Sequence, residues 1–425
     1  MLDLKFIVEN IDAIKEGARK KRMKVDIDKI VQLDTERKSI MKDVDAIRAK
    51  QNVVSKEMPG KKGADKEKTM EEMKKLKETL KIKEQEVEDI DEVLDELVLA
   101  VPNPCLPGVP EGLDDRDNEV VKTWGAPTRF DFEPRDHVAL GTNLDLLDIE
   151  KGAEVSGARF YYVKNDLVWL EFALINYALQ KITAKGFKPI LPPTLVKKQA
   201  MIGTGFFPAD KNEIYSVNKD EDDLYLIGTS EVPLCMLHYN QILDEIKLPL
   251  RYVGFSTCWR REAGSYGKDT HGIIRVHQFD KIEMFSFCHP QHSIEEHKLL
   301  VSIEEEIVQG LKLPYQLVNV CGGDLGAPAG QKFDIEAWIP TQGRYREITS
   351  CSNTTDFQAR RSKIRYKKED GKKEYIHTLN GTGIAMARMF VAILENYQDK
   401  DGNVTIPEVL RPFMGGKEKI EAPKN

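Results

Sequence analysis

Phe255 to Phe285, FSTCWRREAGSYGKDTHGIIRVHQFDKIEMF, is the stretch on which the reading of the fold turns. An apolar approach from Tyr252 to Phe255 runs into the charged cluster Arg260, Arg261 and Glu262, and a Gly/Ser/Asp-rich segment follows from Ala263 to Gly272. A returning run, Ile274, Val276, Gln278 and then Lys281 to Phe285, has period-two character and predicts a β-hairpin with a long tip. Arginines at the end of one strand, facing polar and aromatic groups on the next, suit a polyanionic nucleotide lying across a sheet. The guanidinium fork matches phosphate oxygens two at a time, and an aromatic ring such as Phe279 offers a face to a base. A hairpin whose charges are merely solvated fits the same residues.

Upstream, the pattern changes period. A short helical segment with a basic end covers residues 1 to about 25, and from Ile30 apolar positions step by three and four: Ile30, Leu33, Ile40, Val44, Ile47, Val54. A second series answers it, Met73, Leu76, Leu80, Val87, Ile90, Leu94, Leu97, with Arg37, Gln51 and Lys83 as polar seam positions. This spacing predicts an antiparallel helical hairpin of coiled-coil type over residues 1–100, turning at Pro59, Gly60 and Gly63. Between Lys50 and Lys83 there are 11 lysines against 6 acids, a local net of +5, whereas Glu84 to Glu96 is acidic. The distal end would attract phosphate; a solvated lysine-rich face reads the same way.

Pro102, Pro104, Pro107 and Pro110 end the helix, so residues 101–127 read as a connector and 128–425 as a second domain. There the elements are mixed. Val168 to Ala184 reads as an amphipathic helix with Leu170, Phe172, Ile175, Leu179 and Ile182 on its apolar side, and Phe187 to Pro193 as an edge strand. Strands are expected around Tyr225–Ile227, Phe333–Ile339 and Tyr345–Ile348, a helix after Gly228–Glu231, and a last helix over Gly383–Glu395. The class is α+β with a largely antiparallel sheet. A net charge of −7 argues against an indiscriminately basic nucleic-acid binder. Six scattered cysteines without a Cys-x-x-Cys pair read as reduced thiols of a cytoplasmic protein, and no run approaches the ~18 apolar residues of a membrane span.

Taken together, these segments resemble the class II aminoacyl-tRNA synthetases and, within them, the seryl-tRNA synthetase family. The long helix into KGFKPILPP resembles the class's first signature, FSTCWRREAG with VHQFDKIEMF its second, and NGTGIAMAR at Asn380 to Arg388 its third. Thr229–Glu231, the REITSCSNTTDFQARR run from Arg346, the terminal VLRPFMGG and the two-helix arm are similar to the seryl branch. Trp259 and Thr382 stand where members more often carry phenylalanine and serine; neither departure removes a charge or a hydroxyl.

The resemblance implies ATP with Mg2+, L-serine, and tRNA(Ser) as substrates, no zinc, and a cytoplasmic homodimer paired through the first signature; it leaves open whether tRNA(Sec) is a further acceptor. Arg260 would hold the α-phosphate, where negative charge builds in the transition state, with Arg261 beside it. Glu262 would face the adenine amino group and Phe279 the ring, with Val276, His277 and Gln278 in the same pocket. Arg388 would meet the β/γ-phosphates; Glu347, Ile348, Thr349 and Ser350 would flank the nucleotide, with Glu347 and Ser350 carrying Mg2+ contacts. Arg260, Glu347 and Arg388 are thus the implied catalytic residues. Thr229, Ser230, Glu231, Glu283 and Thr382 would form the serine side, with Arg260 near the carboxylate. By themselves, Glu231 reads as a helix-cap acid and Glu283 as a strand-end charge. The loop Gly264–Gly272 is expected to switch between ATP and the tRNA end. A class II enzyme for another amino acid, and a non-catalytic RNA-binding relative, are the competing readings.

Overall fold

The computed structural model describes residues 2–218, 221–263 and 271–422. The chain separates into two compact units, one of residues 2–19 and 23–102, the other of residues 20–22 and 103 onward.

In the first unit, short helices Leu4–Glu9 and Ile11–Lys20 precede α1 (Ile27–Glu57) and α2 (Ala64–Ala100). Asp26 caps α1 by accepting from the Lys29 amide at 2.9 Å, a contact that replaces one missing intrahelical bond. Pro59 sits in the single turn Met58–Gly60 that follows, and Gly63, at φ +58°, opens α2. The seam is buried at Ile30, Leu33, Ile40, Val44 and Val54 on α1 and at Leu94 and Val98 on α2. Ion pairs Arg37–Asp91, Arg48–Glu84 and Lys50–Glu72 join the helices, whose antiparallel sense is imposed by the short turn between them.

The second unit is built on an eight-stranded sheet: β1 (Glu119–Trp124), β2 (Lys188–Ile190), β3 (Leu250–Trp259), β4 (Gln278–Cys288), β5 (Tyr315–Asn319), β6 (Gln331–Ile339), β7 (Arg344–Asn353) and β8 (His377–Ala385). Their spatial order is β1-β5-β6-β7-β8-β4-β3-β2, antiparallel throughout except that the edge strand β2 runs parallel to β3. Helices α3 (Asp166–Thr183), α4 (Ser293–Gly310) and α5 (Met386–Asn396) join the sheet in one apolar cluster. Strand alternation divides β4 between two tasks: Ile282 and Met284 enter that cluster, while Phe279, Lys281 and Glu283 face the opposite way, into a cleft.

The structure departs from the sequence expectations at identifiable points. The returning strand starts at Gln278, so Ile274 and Val276 are buried in the segment before it rather than in the ladder. On α3 Leu170, Ile175 and Ile182 are buried as expected, together with Leu167, Leu174, Tyr177 and Ala178, but Phe172 is 53% exposed, because it projects about 200° around the helix from Leu170. Residues 383–385 belong to β8, not to the last helix. Gly381 and Gly383 hide that strand in the sequence, yet close packing requires them: a Cβ at 381 would lie 2.9 Å from Glu304 Oε1, and one at 383 would lie 2.8 Å from Ile182 Cδ1. Within residues 101–127, read as a connector, Glu119–Trp124 pairs with β5 as the other sheet edge.

Candidate active site

The cleft, of ≈ 420 Å³, opens on the sheet face formed by β6, β7, β8 and β4. Register sets its central row. Phe279 stands opposite Cys258, Lys281 opposite Ser256 and Glu283 opposite Gly254. Arg260 follows β3 directly; its amide donates to His277 O at 3.0 Å and its Nε to Gly228 O at 3.1 Å. These two bonds hold the guanidinium 5.3 Å from the Phe279 ring centroid, within cation–π range. Arg275 Nη1 reaches the Glu262 carboxylate at 3.0 Å.

From the other side, Glu347 on β7 and Arg388 in the first turn of α5 form an ion pair at 2.8 Å, and Arg388 also donates to the Glu347 carbonyl at 3.0 Å. Burial opposes ionisation of Glu347, but the charges of Arg388, Lys332 and Arg260 outweigh it and bring its carboxyl down to about 2. Glu231 has the opposite balance: burial, then the Glu283 charge, push it up to about 7 against the Gln358 hydrogen bond and the charges of Lys281 and Arg260. Glu231 is not a cap acid. Its Oε1 accepts from Gln358 Nε2 at 2.7 Å and Asn380 Nδ2 at 3.0 Å, while Thr229 Oγ1 takes the helix-start amide of Glu231 at 3.2 Å. Glu283 pairs with Lys281 at 2.5 Å, and Thr382 Oγ1 lies 3.5 Å from Glu283 Oε2, the limit of a hydrogen bond. Behind this row Thr349 donates to the buried Glu304 at 2.8 Å, and desolvation raises the Glu304 carboxyl well above its ordinary value.

A further wall is the segment Gly326–Ala329, of which Gly326, Pro328 and Ala329 line the cleft. Its carbonyls are held from behind. Lys21, 3% exposed, donates to the oxygens of Gly326 at 3.0 Å, Ala327 at 3.1 Å and Ala329 at 2.6 Å, and Asn103 Nδ2 donates to Pro328 O at 2.9 Å.

Of the residues singled out from the sequence, Thr229, Glu231, Arg260, Glu262, Val276, Phe279, Glu283, Glu347, Ile348, Thr349, Ser350, Thr382 and Arg388 line this one cleft. Four others are placed differently. Arg261 donates its amide to Glu213 O at 2.8 Å, His277 has Nδ1 2.9 Å from Arg260 O with its ring against Phe160, Gln278 is exposed at the start of β4, and Ser230 is fully buried beside Gly254. Residues 264–270 of the expected switching loop lie outside the described residues. Sequence reading passed over Lys281, Arg275, Lys332, Asn380 and Glu304. Lys281 was within reach, since alternation alone puts it on the face of Phe279 and Glu283; Glu304 carries no local signal, being one acid on a helix. None of the six cysteines forms a disulfide; five are buried and Cys105 is half-buried.

A cleft lined by arginines and two lysines together with recessed carboxylates accepts a polyphosphate and an ammonium side by side. Fold and cleft together are those of a class II aminoacyl-tRNA synthetase: residues 215–397 match the family described as tRNA synthetase class II core domain (G, H, P, S and T), and residues 1–105 match the Seryl-tRNA synthetase N-terminal domain. The chain is 46% identical over 416 residues to the serine–tRNA ligase of Thermobifida fusca and 43% identical over 419 residues to that of Dictyoglomus turgidum, each alignment covering 98% of both chains. A crystal structure of seryl-tRNA synthetase from Pyrococcus horikoshii complexed with ATP superposes with a TM-score of 0.92 at 39% identity, covering 100% of both chains. The chain belongs to the seryl-tRNA synthetase family.

Proposed function

We propose that the protein is a serine–tRNA ligase, which activates L-serine with ATP and transfers it to the 3′-terminal adenosine of tRNA(Ser). The observation that carries this is the pairing in one cleft of Arg260 over Phe279 and Arg388 on Glu347 with the carboxylates Glu231 and Glu283. In the first step a serine carboxylate oxygen bonds to the α-phosphorus and the bond to pyrophosphate breaks. Arg260 neutralises charge growing on the α-phosphate oxygens, and Arg388 charge on the departing pyrophosphate. Phe279 and Glu262 hold the adenine; Glu283, Glu231, Thr229 and Thr382 take the serine ammonium and hydroxyl. Buried polar groups left unpaired by alanine make its rejection strong. In the second step the terminal ribose hydroxyl attacks the activated carbonyl and AMP leaves.

Glu347, kept ionised by its arginine, and the Ser350 hydroxyl are hard oxygen donors that fit Mg2+, too few to hold it alone and so suited to a cation arriving with nucleotide. When bound, Mg2+ would screen the phosphate charges; zinc has no part in this reading. The lysine-rich end of the hairpin supports backbone recognition of the acceptor RNA, with tRNA(Sec) as a second substrate to be compared in the same charging assay. Trp169 and Phe172, 62% and 53% exposed on α3, support a homodimer formed through that helix; light scattering that finds only monomer at micromolar concentration would count against it. Among the described residues no helix is long and apolar enough to cross a membrane, and we assign the enzyme to the cytoplasm.

The test is exchange of labelled pyrophosphate into ATP with serine, threonine, alanine, proline and cysteine, without tRNA. Serine-driven exchange far above the others is expected. Exchange driven by another amino acid would overturn the pocket assignment, and none at all would return the chain to the non-catalytic reading.

A further inference from the structure

We propose that Gln358 is a positioning residue for serine: it locks one oxygen of Glu231 so that the other faces the incoming amino acid. Gln358 is fully buried in the short helix Phe357–Arg361, and Gln358 itself does not line the cleft. Its amide has one possible orientation. Nε2 lies 3.2 Å from the carbonyl oxygen of Thr204 and 2.7 Å from Glu231 Oε1; the first can only accept, and the second accepts when ionised, so both need the NH2 group. On the other side Oε1 receives the hydroxyl of Thr378 at 2.9 Å, while the Thr354 hydroxyl, 3.3 Å away, donates to the Thr378 carbonyl at 2.8 Å. A flipped amide would set its oxygen against two acceptors.

With its two protons committed, Gln358 joins Asn380 Nδ2, at 3.0 Å, on the same oxygen of Glu231. Among the described residues Glu231 Oε2 has no partner, and Glu231 lines the cleft. The carboxylate is thereby held edge-on, one oxygen saturated and one offered. The charges that face it are Glu283, which disfavours ionisation, and Lys281 and Arg260, which favour it; the Gln358 bond works with the cations. Removing that donor should therefore both loosen the carboxylate and raise its proton affinity.

The inference rests on the reading that Glu231 meets serine, so the experiment tests the two separately. Full-length wild type, Gln358→Met, Gln358→Glu and Glu231→Gln are compared in serine-dependent pyrophosphate exchange across pH, with thermal melting to verify folding. Gln358→Glu retains the acceptor for Thr378 and guards against a misfolded methionine variant. For a folded Gln358 variant we expect KM for serine to rise about tenfold or more while KM for ATP stays within about twofold, as follows from losing a hydrogen bond to a charged group at one substrate only. The acid limb of kcat/KM for serine should also move to higher pH. Folded variants with neither change, or with equal losses for serine and ATP and an unmoved acid limb, overturn the role of Gln358. An unchanged KM for serine in Glu231→Gln instead overturns the underlying reading of Glu231.

Discussion

The helical hairpin and the cleft use charge in contrary ways. On α1 and α2 the ion pairs are partly exposed, as in Arg48–Glu84, with side chains 56% and 44% accessible. Water screens them, and each can be lost with little consequence. In the cleft, Lys281 and Glu283 are 7% and 2% accessible and are matched with each other. There the loss of one partner strands the other. The hairpin can thus vary in sequence while remaining a lysine-rich rod, whereas the cleft holds its charges in fixed geometry.

Four experiments press on this contrast. Arg260→Ala removes a cation aimed at developing charge and should lower serine-dependent exchange about 10³-fold or more; near-normal turnover would place the cleft on the same footing as the hairpin. Deletion of residues 27–99 should leave exchange largely intact while tRNA charging falls by about 100-fold or more, since the phosphate-binding lysines go with it. Equal loss of both activities would break the division of labour.

The third concerns acid. Burial lowers His297 and His377 to about 4, so the unfolded chain binds more protons between about pH 6.5 and 4. Stability should therefore fall as pH drops through that window, by up to about 1.4 kcal/mol per pH unit for each group. Denaturant unfolding of His297→Gln should show a shallower loss. None of the eight histidines lies in the hairpin, so this sensitivity belongs to the catalytic unit. The smallest effect is expected for the Arg48–Glu84 pair: a double-mutant cycle should return a coupling of about 0.5 kcal/mol, and a value several-fold larger would mean that the rod is less tolerant than its exposure indicates.

The same contrast explains what was legible beforehand. A seam at positions such as Ile30, Leu33 and Val44 repeats locally, so its period can be read from the chain alone. The cleft draws on residues from Thr229 to Arg388, and motif resemblance brought most of them together. What escaped was held by long-range packing. Glu304 acts through Thr349 on another element, and β8 carries glycines where strands ordinarily carry branched side chains, because Glu304 and Ile182 occupy the space. Phe172 was misplaced since an apolar residue on an amphipathic helix does not state which side will meet the sheet.

The ammonium of Lys21 has a consequence for how the chain is made. Its partners are the carbonyls of Gly326, Ala327 and Ala329, some three hundred positions downstream. During synthesis from the N-terminus, the lysine emerges long before anything it can bind, and it remains hydrated while the intervening strands accumulate. Only when Ala329 has appeared does burying that cation bring a return, and β6, β7, β8 and α5 are then still to come. Closure of this wall therefore cannot precede the synthesis of Ala329, and a chain halted before residue 326 has neither the wall nor the strands β6, β7 and β8 that floor the cleft.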